Sequence, residues 1–89
     1  MDKLKVLVFS FYREQPEIIE ILYPLHACSI TRGLSNIRID CKDFNHLEEI
    51  TNLLDYLVPP FASLGLGKEI ILRVPELSEQ THPIALKLK

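Results

Sequence analysis

The sequence predicts a small α/β domain, a two-layer or three-layer βαβαβ(β) arrangement around a mostly parallel sheet of three to four strands. Three observations lead there. Residues 35–41 alternate apolar and polar side chains, residues 3–11 and 69–74 are short apolar runs, and the stretches between them repeat their apolar residues at helical intervals. Short connections between such elements favour parallel pairing through helical crossovers.

The first element is expected over residues 3–11, Lys3-Leu4-Lys5-Val6-Leu7-Val8-Phe9-Ser10-Phe11. It starts with alternation and then turns almost wholly apolar, which suits a central strand covered on both faces. A helix follows. Pro16 fits a first helical turn, Glu14, Glu17 and Glu20 place negative charge at that end, and Ile18, Ile19, Ile21, Leu22, Leu25 and Cys28 make a wide apolar face. Pro24 either kinks this helix or opens a second segment near Tyr23, and Arg32-Gly33 supplies the stop.

Residues 35–41 form a half-exposed strand with Ile37, Ile39 and Cys41 inward and Arg38 and Asp40 outward. Asp43 or Asn45 caps the next helix, Asn45 and Glu48 have capping-box spacing, and Phe44, Leu47, Ile50, Leu54 and Leu57 form its stripe. Pro59-Pro60 is expected to end it. Phe61 to Leu64 adds at most a short turn before Gly65-Leu66-Gly67. A third strand covers 69–74, residues 76–83 read as a connection, and 84–89 as an amphipathic edge strand whose lysines discourage further pairing.

Composition limits the function classes. Residues 1–89 make one domain, 47% hydrophobic and 25% charged, with a formal net charge of −2. Ten dispersed basic residues against twelve acidic ones do not suit a polyanion, so no nucleic-acid partner is expected. No apolar run reaches the roughly twenty residues of a membrane span, and the start lacks a secretion-signal pattern. A cytoplasmic location without membrane contact follows as the expectation. So small a core invites completion by a second copy, hence a homodimer.

Chemistry is sparse. His26 and Cys28 are the candidate reactive pair, but two residues apart on a helix they point in different directions. Cys41 ends a strand beside Asp40, Lys42 and Asp43. With Ser10 and Tyr12, Asp40 and Asp43 would line a ligand site at the ends of the first two strands. His26, His46 and His82 with the two cysteines offer metal donors, yet without a ligand knuckle, and His46 is expected on the polar side of its helix, so neither a metal nor a cofactor is assigned. Gly65-Leu66-Gly67-Lys68 precedes a strand, which removes the phosphate-loop reading. Ser35 and Ser63 lack a base.

Leu25-His26 followed by Arg32 and a helix-to-strand transition resembles a phosphocarrier protein of the sugar phosphotransferase system, in which a histidine near a helix start accepts phosphate. Here a long helical segment precedes His26 and the second hairpin is missing. Residues 36–74 resemble the strand-helix-strand body of anti-sigma-antagonist domains, without a phosphorylatable serine after the second strand. Neither resemblance assigns a family.

The sequence therefore favours a non-enzymatic regulatory or assembly protein acting through protein contacts. Its candidate interface is Phe11-Tyr12-Arg13, Tyr56 and Pro59-Pro60-Phe61. A thiol or phosphohistidine carrier using Cys28 or His26, and a small-ligand sensor, are the alternatives.

Overall fold

The computed structural model describes residues 3–84. It has a four-stranded mixed sheet with helices against one face. The order is α1 (Lys3–Phe11), α2 (Pro16–Ile21), a 3₁₀ segment (Tyr23–Ala27), β1 (Ser29–Arg32), β2 (Asn36–Asp40), α3 (Phe44–Thr51), α4 (Leu54–Ser63), β3 (Glu69–Val74) and β4 (Ser78–Pro83). The strands lie in the order β1-β2-β3-β4.

The first correction concerns residues 3–11, which form α1 and not a central strand. Leu4, Val8 and Tyr12 are buried at four-residue spacing while Val6 and Phe11 stay exposed, so the run has one helical face inside. A short apolar run does not reveal its own period. Its loss as a strand changes the sheet. β1 and β2 form an antiparallel hairpin, as do β3 and β4, and only β2 and β3, joined through α3 and α4, run parallel. The sheet is mostly antiparallel.

Between α1 and β1 the chain takes the second reading of Pro24, which opens the 3₁₀ segment at a position where its missing N–H is harmless. Cys28 is already extended, at φ −89° and ψ 159°, and β1 occupies residues expected to finish a helix at Gly33. β2 matches its expected alternation, and β3 forms where the third strand was expected, with alternate residues inward. Ile37, Ile39 and Cys41 are buried, as are Ile70, Leu72 and Val74.

Asp43 caps α3, its carboxylate accepting the His46 backbone N–H at 2.8 Å. The buried face is His46, Leu47 and Ile50, whereas Phe44, assigned to the stripe, is exposed. A turn at Asn52-Leu53 separates α3 from α4, and Pro59-Pro60 lie inside α4 instead of ending it. Pro60 cannot donate to the Tyr56 carbonyl one turn back; the Tyr12 hydroxyl donates to that carbonyl at 2.6 Å in its place. Phe61 belongs to the last turn. Gly65, at φ 63°, then stops the helix: its N–H reaches the Ala62 carbonyl and that of Leu66 the Phe61 carbonyl, the Schellman arrangement.

β4 runs through residues read as a connection. It is polar and largely exposed, so no alternation announced it. Of the terminal strand expected over 84–89, all but Ile84 lies outside the described residues.

The Tyr12 hydroxyl makes stability pH-dependent. Burial, reinforced by the Tyr56 phenol, raises its pKa above the ordinary 10.0. Above about pH 10 the unfolded chain loses this proton while the folded chain keeps it, so stability is full below that pH and falls as pH rises toward the folded value. Urea titrations across that alkaline range should show the decline, and Tyr12→Phe should flatten it. An unchanged slope in the variant refutes the assignment.

Candidate functional site

The hairpin register carries the site. Ser29 pairs with Asp40 and Ile30 with Ile39, so one step beyond the last pair Cys28 stands opposite Cys41. Alternation puts both thiols on the buried face with Ile30 and Ile39. Each is held by its backbone: the Cys28 N–H donates to Leu25 O at 3.1 Å, ending the 3₁₀ segment, and the Cys41 N–H donates to Arg73 O at 2.7 Å, extending the β2 pairing with β3.

His46 completes the cluster from the first turn of α3. Its Nδ1 accepts the Lys42 backbone N–H at 2.9 Å. A backbone amide only donates, so the ring carries its proton on Nε2, which donates to the Pro24 carbonyl at 2.9 Å. The same Nε2 lies 3.5 Å from Cys28 Sγ, and Pro24 O lies 3.8 Å from that sulfur. One donor atom from each of Cys28, Cys41 and His46 falls within 4.8 Å of the other two. All three residues are buried.

The two thiols differ in acidity because they share a proton. A hydrogen bond to Cys41 holds the Cys28 proton and pushes its pKa far up, with burial and the Cys41 charge adding to the effect. Accepting that bond lowers the Cys41 pKa, against burial and the nearby Asp40 and Asp43 carboxylates. Cys41 is therefore the sulfur that ionises first.

The donor set also meets the distance requirement for a metal ion, but the ring environment does not. A metal-bound histidine commonly donates its second ring N–H to a carbonyl or carboxylate. Here the second nitrogen faces a donor, the Lys42 N–H. Ligation through Nε2 would strip Lys42 of its acceptor or leave the ring without a proton. The ring is set to hydrogen-bond Pro24 and Cys28.

Beside the cluster lies an open groove of about 490 Å³ between the 3₁₀ segment and α3, with Pro24 and His46 in its lining.

The other sequence-derived candidates lie outside the three-residue cluster, although His26 and Asp43 line the groove and Asp40 and Asp43 act electrostatically on Cys41. His26 is exposed, stacked on Phe9 at 4.7 Å and edge-on to Tyr23 at 5.6 Å, and it is not part of the Cys28 cluster. Ser10 is exposed on α1, Tyr12 bonds Tyr56, Asp40 pairs with Arg73 at 2.6 Å, and Asp43 caps α3. Of the interface residues, Phe11, Arg13 and Pro59 are exposed and Tyr56 half-buried, while Tyr12, Pro60 and Phe61 are buried.

His46 is the functional residue that sequence reasoning missed. Residues 46, 50, 53 and 57 recur at helical spacing, and all four are buried. Shifting the expected stripe by that small rotation would have turned His46 inward. The buried Cys28, Cys41 and His46 cluster overturns two expectations, that the chain acts only through a protein-contact surface and that it is non-enzymatic. Among the described residues, no helix is long and apolar enough to cross a membrane. Comparison with known proteins finds no matching family model, no matching curated protein and no matching solved structure.

Proposed function

We propose that this chain is a thiol-dependent redox protein in which Cys28 and Cys41 cycle between dithiol and disulfide. The supporting observation is their position opposite one another across the β1-β2 hairpin, on one face. Directly opposed residues of an antiparallel pair have Cα atoms about 4.5–5.5 Å apart, inside the range of about 4.4–6.8 Å that a disulfide bridges. Little backbone movement is required.

Oxidation uses an external disulfide, R–S–S–R. The Cys41 thiolate attacks one sulfur and R–S⁻ leaves; the Cys28 thiol then loses its proton and attacks Cys41 Sγ in the mixed disulfide, releasing the second R–S⁻. The protein gives up two electrons and two protons, and the oxidant becomes two R–SH. His46 is a positioning residue. Its Nε2–H, 3.5 Å from Cys28 Sγ, offers a hydrogen bond to that sulfur as negative charge develops.

The test is equilibration of the purified protein in mixtures of reduced and oxidised dithiothreitol, followed by maleimide labelling and intact mass. Both thiols should disappear together in a single two-electron transition with the loss of two hydrogen masses. Peptide mapping should place the bond between Cys28 and Cys41. Cys28→Ser and Cys41→Ser should each abolish that product. Thiols that stay free under strongly oxidising mixtures, or that react independently, defeat the proposal.

A further inference from the structure

We propose that the groove between the 3₁₀ segment and α3 binds the oxidant, and that this oxidant is a low-molecular-weight disulfide carrying both carboxylate and ammonium groups. The inference rests on the redox reading above and adds its substrate class.

Position is the first argument. Pro24 and His46, which line the groove, are the two residues whose polar atoms approach Cys28 Sγ, at 3.8 Å and 3.5 Å. Cys28 Sγ thus lies one layer of atoms behind the groove, and Cys41 Sγ stands within 4.8 Å of a ring nitrogen of His46 in the groove wall. The two thiols are only 4% and 3% exposed, for Cys28 and Cys41. A disulfide on the surface of a folded protein cannot reach sulfurs so recessed without a large opening. A small molecule needs only a displacement at Pro24 and His46.

Size and chemistry are the second. A volume of about 490 Å³ is that of a small-ligand site, and Tyr23, Pro24 and Ala27 give it an apolar wall suited to methylene groups and sulfur. Lys42 supplies a positive charge and Glu49 a negative one, beside the Asp43 carboxylate, which is engaged by the His46 N–H as the cap of α3. Lys42 and Glu49 are both exposed, and neither is in an ion pair among the described residues. Lys42 precedes the Asp43 cap and Glu49 lies in the second turn of α3, so the two charges are spaced along the groove. A ligand with its charged groups at separate ends of a short chain matches that spacing. Lys42 would hold a carboxylate and Glu49 an ammonium group, with the disulfide between them facing Pro24 and His46.

The experiment follows oxidation of the reduced protein by stopped flow with four probes: cystine, which carries both charges, dicationic cystamine, dianionic dithiodipropionate and neutral hydroxyethyl disulfide. Cystine should react fastest. Lys42→Gln and Glu49→Gln should each slow cystine by about threefold, the weight of one exposed ion pair, and leave hydroxyethyl disulfide unchanged. Rates that ignore ligand charge, or variants that slow all four probes alike, overturn the groove assignment while the redox reading stands. Faster oxidation by an oxidised thioredoxin-type protein than by any small probe overturns it too. Failure of every probe to close the Cys28–Cys41 bond refutes the redox reading itself.

Discussion

Replacing His46 with leucine should destabilise the protein by about 2–3 kcal/mol and expose Cys28 to alkylation. The imidazole accepts from the Lys42 N–H and donates to the Pro24 carbonyl, both at 2.9 Å. Leucine fills much of the same space and offers neither function, so the Lys42 N–H loses its acceptor and the Pro24 carbonyl keeps only the long contact from the Cys28 thiol at 3.8 Å, each loss costing about 1–3 kcal/mol if fully shielded from water. Partial solvent access puts the sum toward the low end. Asparagine and glutamine separate the two bonds. In His46→Asn the amide oxygen can stand near the place of Nδ1 and accept from Lys42, and in His46→Gln the amide nitrogen can stand near Nε2 and donate to Pro24. Each should recover part of the loss, as read from the urea midpoint at constant slope. Iodoacetamide should meanwhile modify Cys28 faster in the leucine variant, because the 3₁₀ segment no longer has its tie to α3. A leucine variant as stable as the parent would mean that these bonds contribute nothing net.

Phe61→Ala should cost more, about 3–5 kcal/mol. Its ring is fully buried, at 0% exposure, and sits in the last turn of α4. That helix cannot stand on local preference. Pro59 and Pro60 each remove an N–H from its interior, and a proline inside a helix costs about 3 kcal/mol relative to alanine. Burial of Leu57, Pro60 and Phe61 offsets this, as does the Tyr12 hydroxyl on the Tyr56 carbonyl. A chain of 89 residues retains about 4–13 kcal/mol in all, so deleting the ring removes a large part of the total. Circular dichroism should show a broad, early melt, with α1 and α4 losing structure together because they pack on each other. The control is Leu64→Ala at an exposed position, expected within about 0.5 kcal/mol of the parent. A sharp, unshifted melt for Phe61→Ala would show that the core around α4 collapses without cost.

These two substitutions fall where reading from sequence went wrong, and for related reasons. Pro59-Pro60 is a strong local stop signal, but local signals describe the isolated chain, and here burial and a hydroxyl from a distant helix outweigh them. His46 is polar, and a polar residue is assigned to the wet side until its partners are known. Both partners are backbone groups, one of them the carbonyl of a residue 22 positions earlier. Residues 3–11 failed differently. Their apolar run is compatible with a strand or a buried helix, and only the helical spacing of Leu4, Val8 and Tyr12 in the core decides. β4 left no pattern because an exposed edge strand need not alternate. The sheet is mostly antiparallel because β1, read as the end of a helix, and β4, read as a connection, each pair with their neighbour as a hairpin.

What the sequence determined by itself is the pair of strands β2 and β3 and the presence of apolar helical surface between them. β2 alternates and the helical segment recurs each turn because one face meets the core, while β3 shows as a short apolar run stopped by Pro75. The tertiary structure alone decided the thiol centre. Cys28 and Cys41 stand 13 positions apart in the chain, and nothing local says that a hairpin will set them face to face or that a helix start will bring His46 against them. Strand register and the choice of hydrogen-bond partner are properties of the assembled sheet, since each depends on groups that meet only once the core has closed.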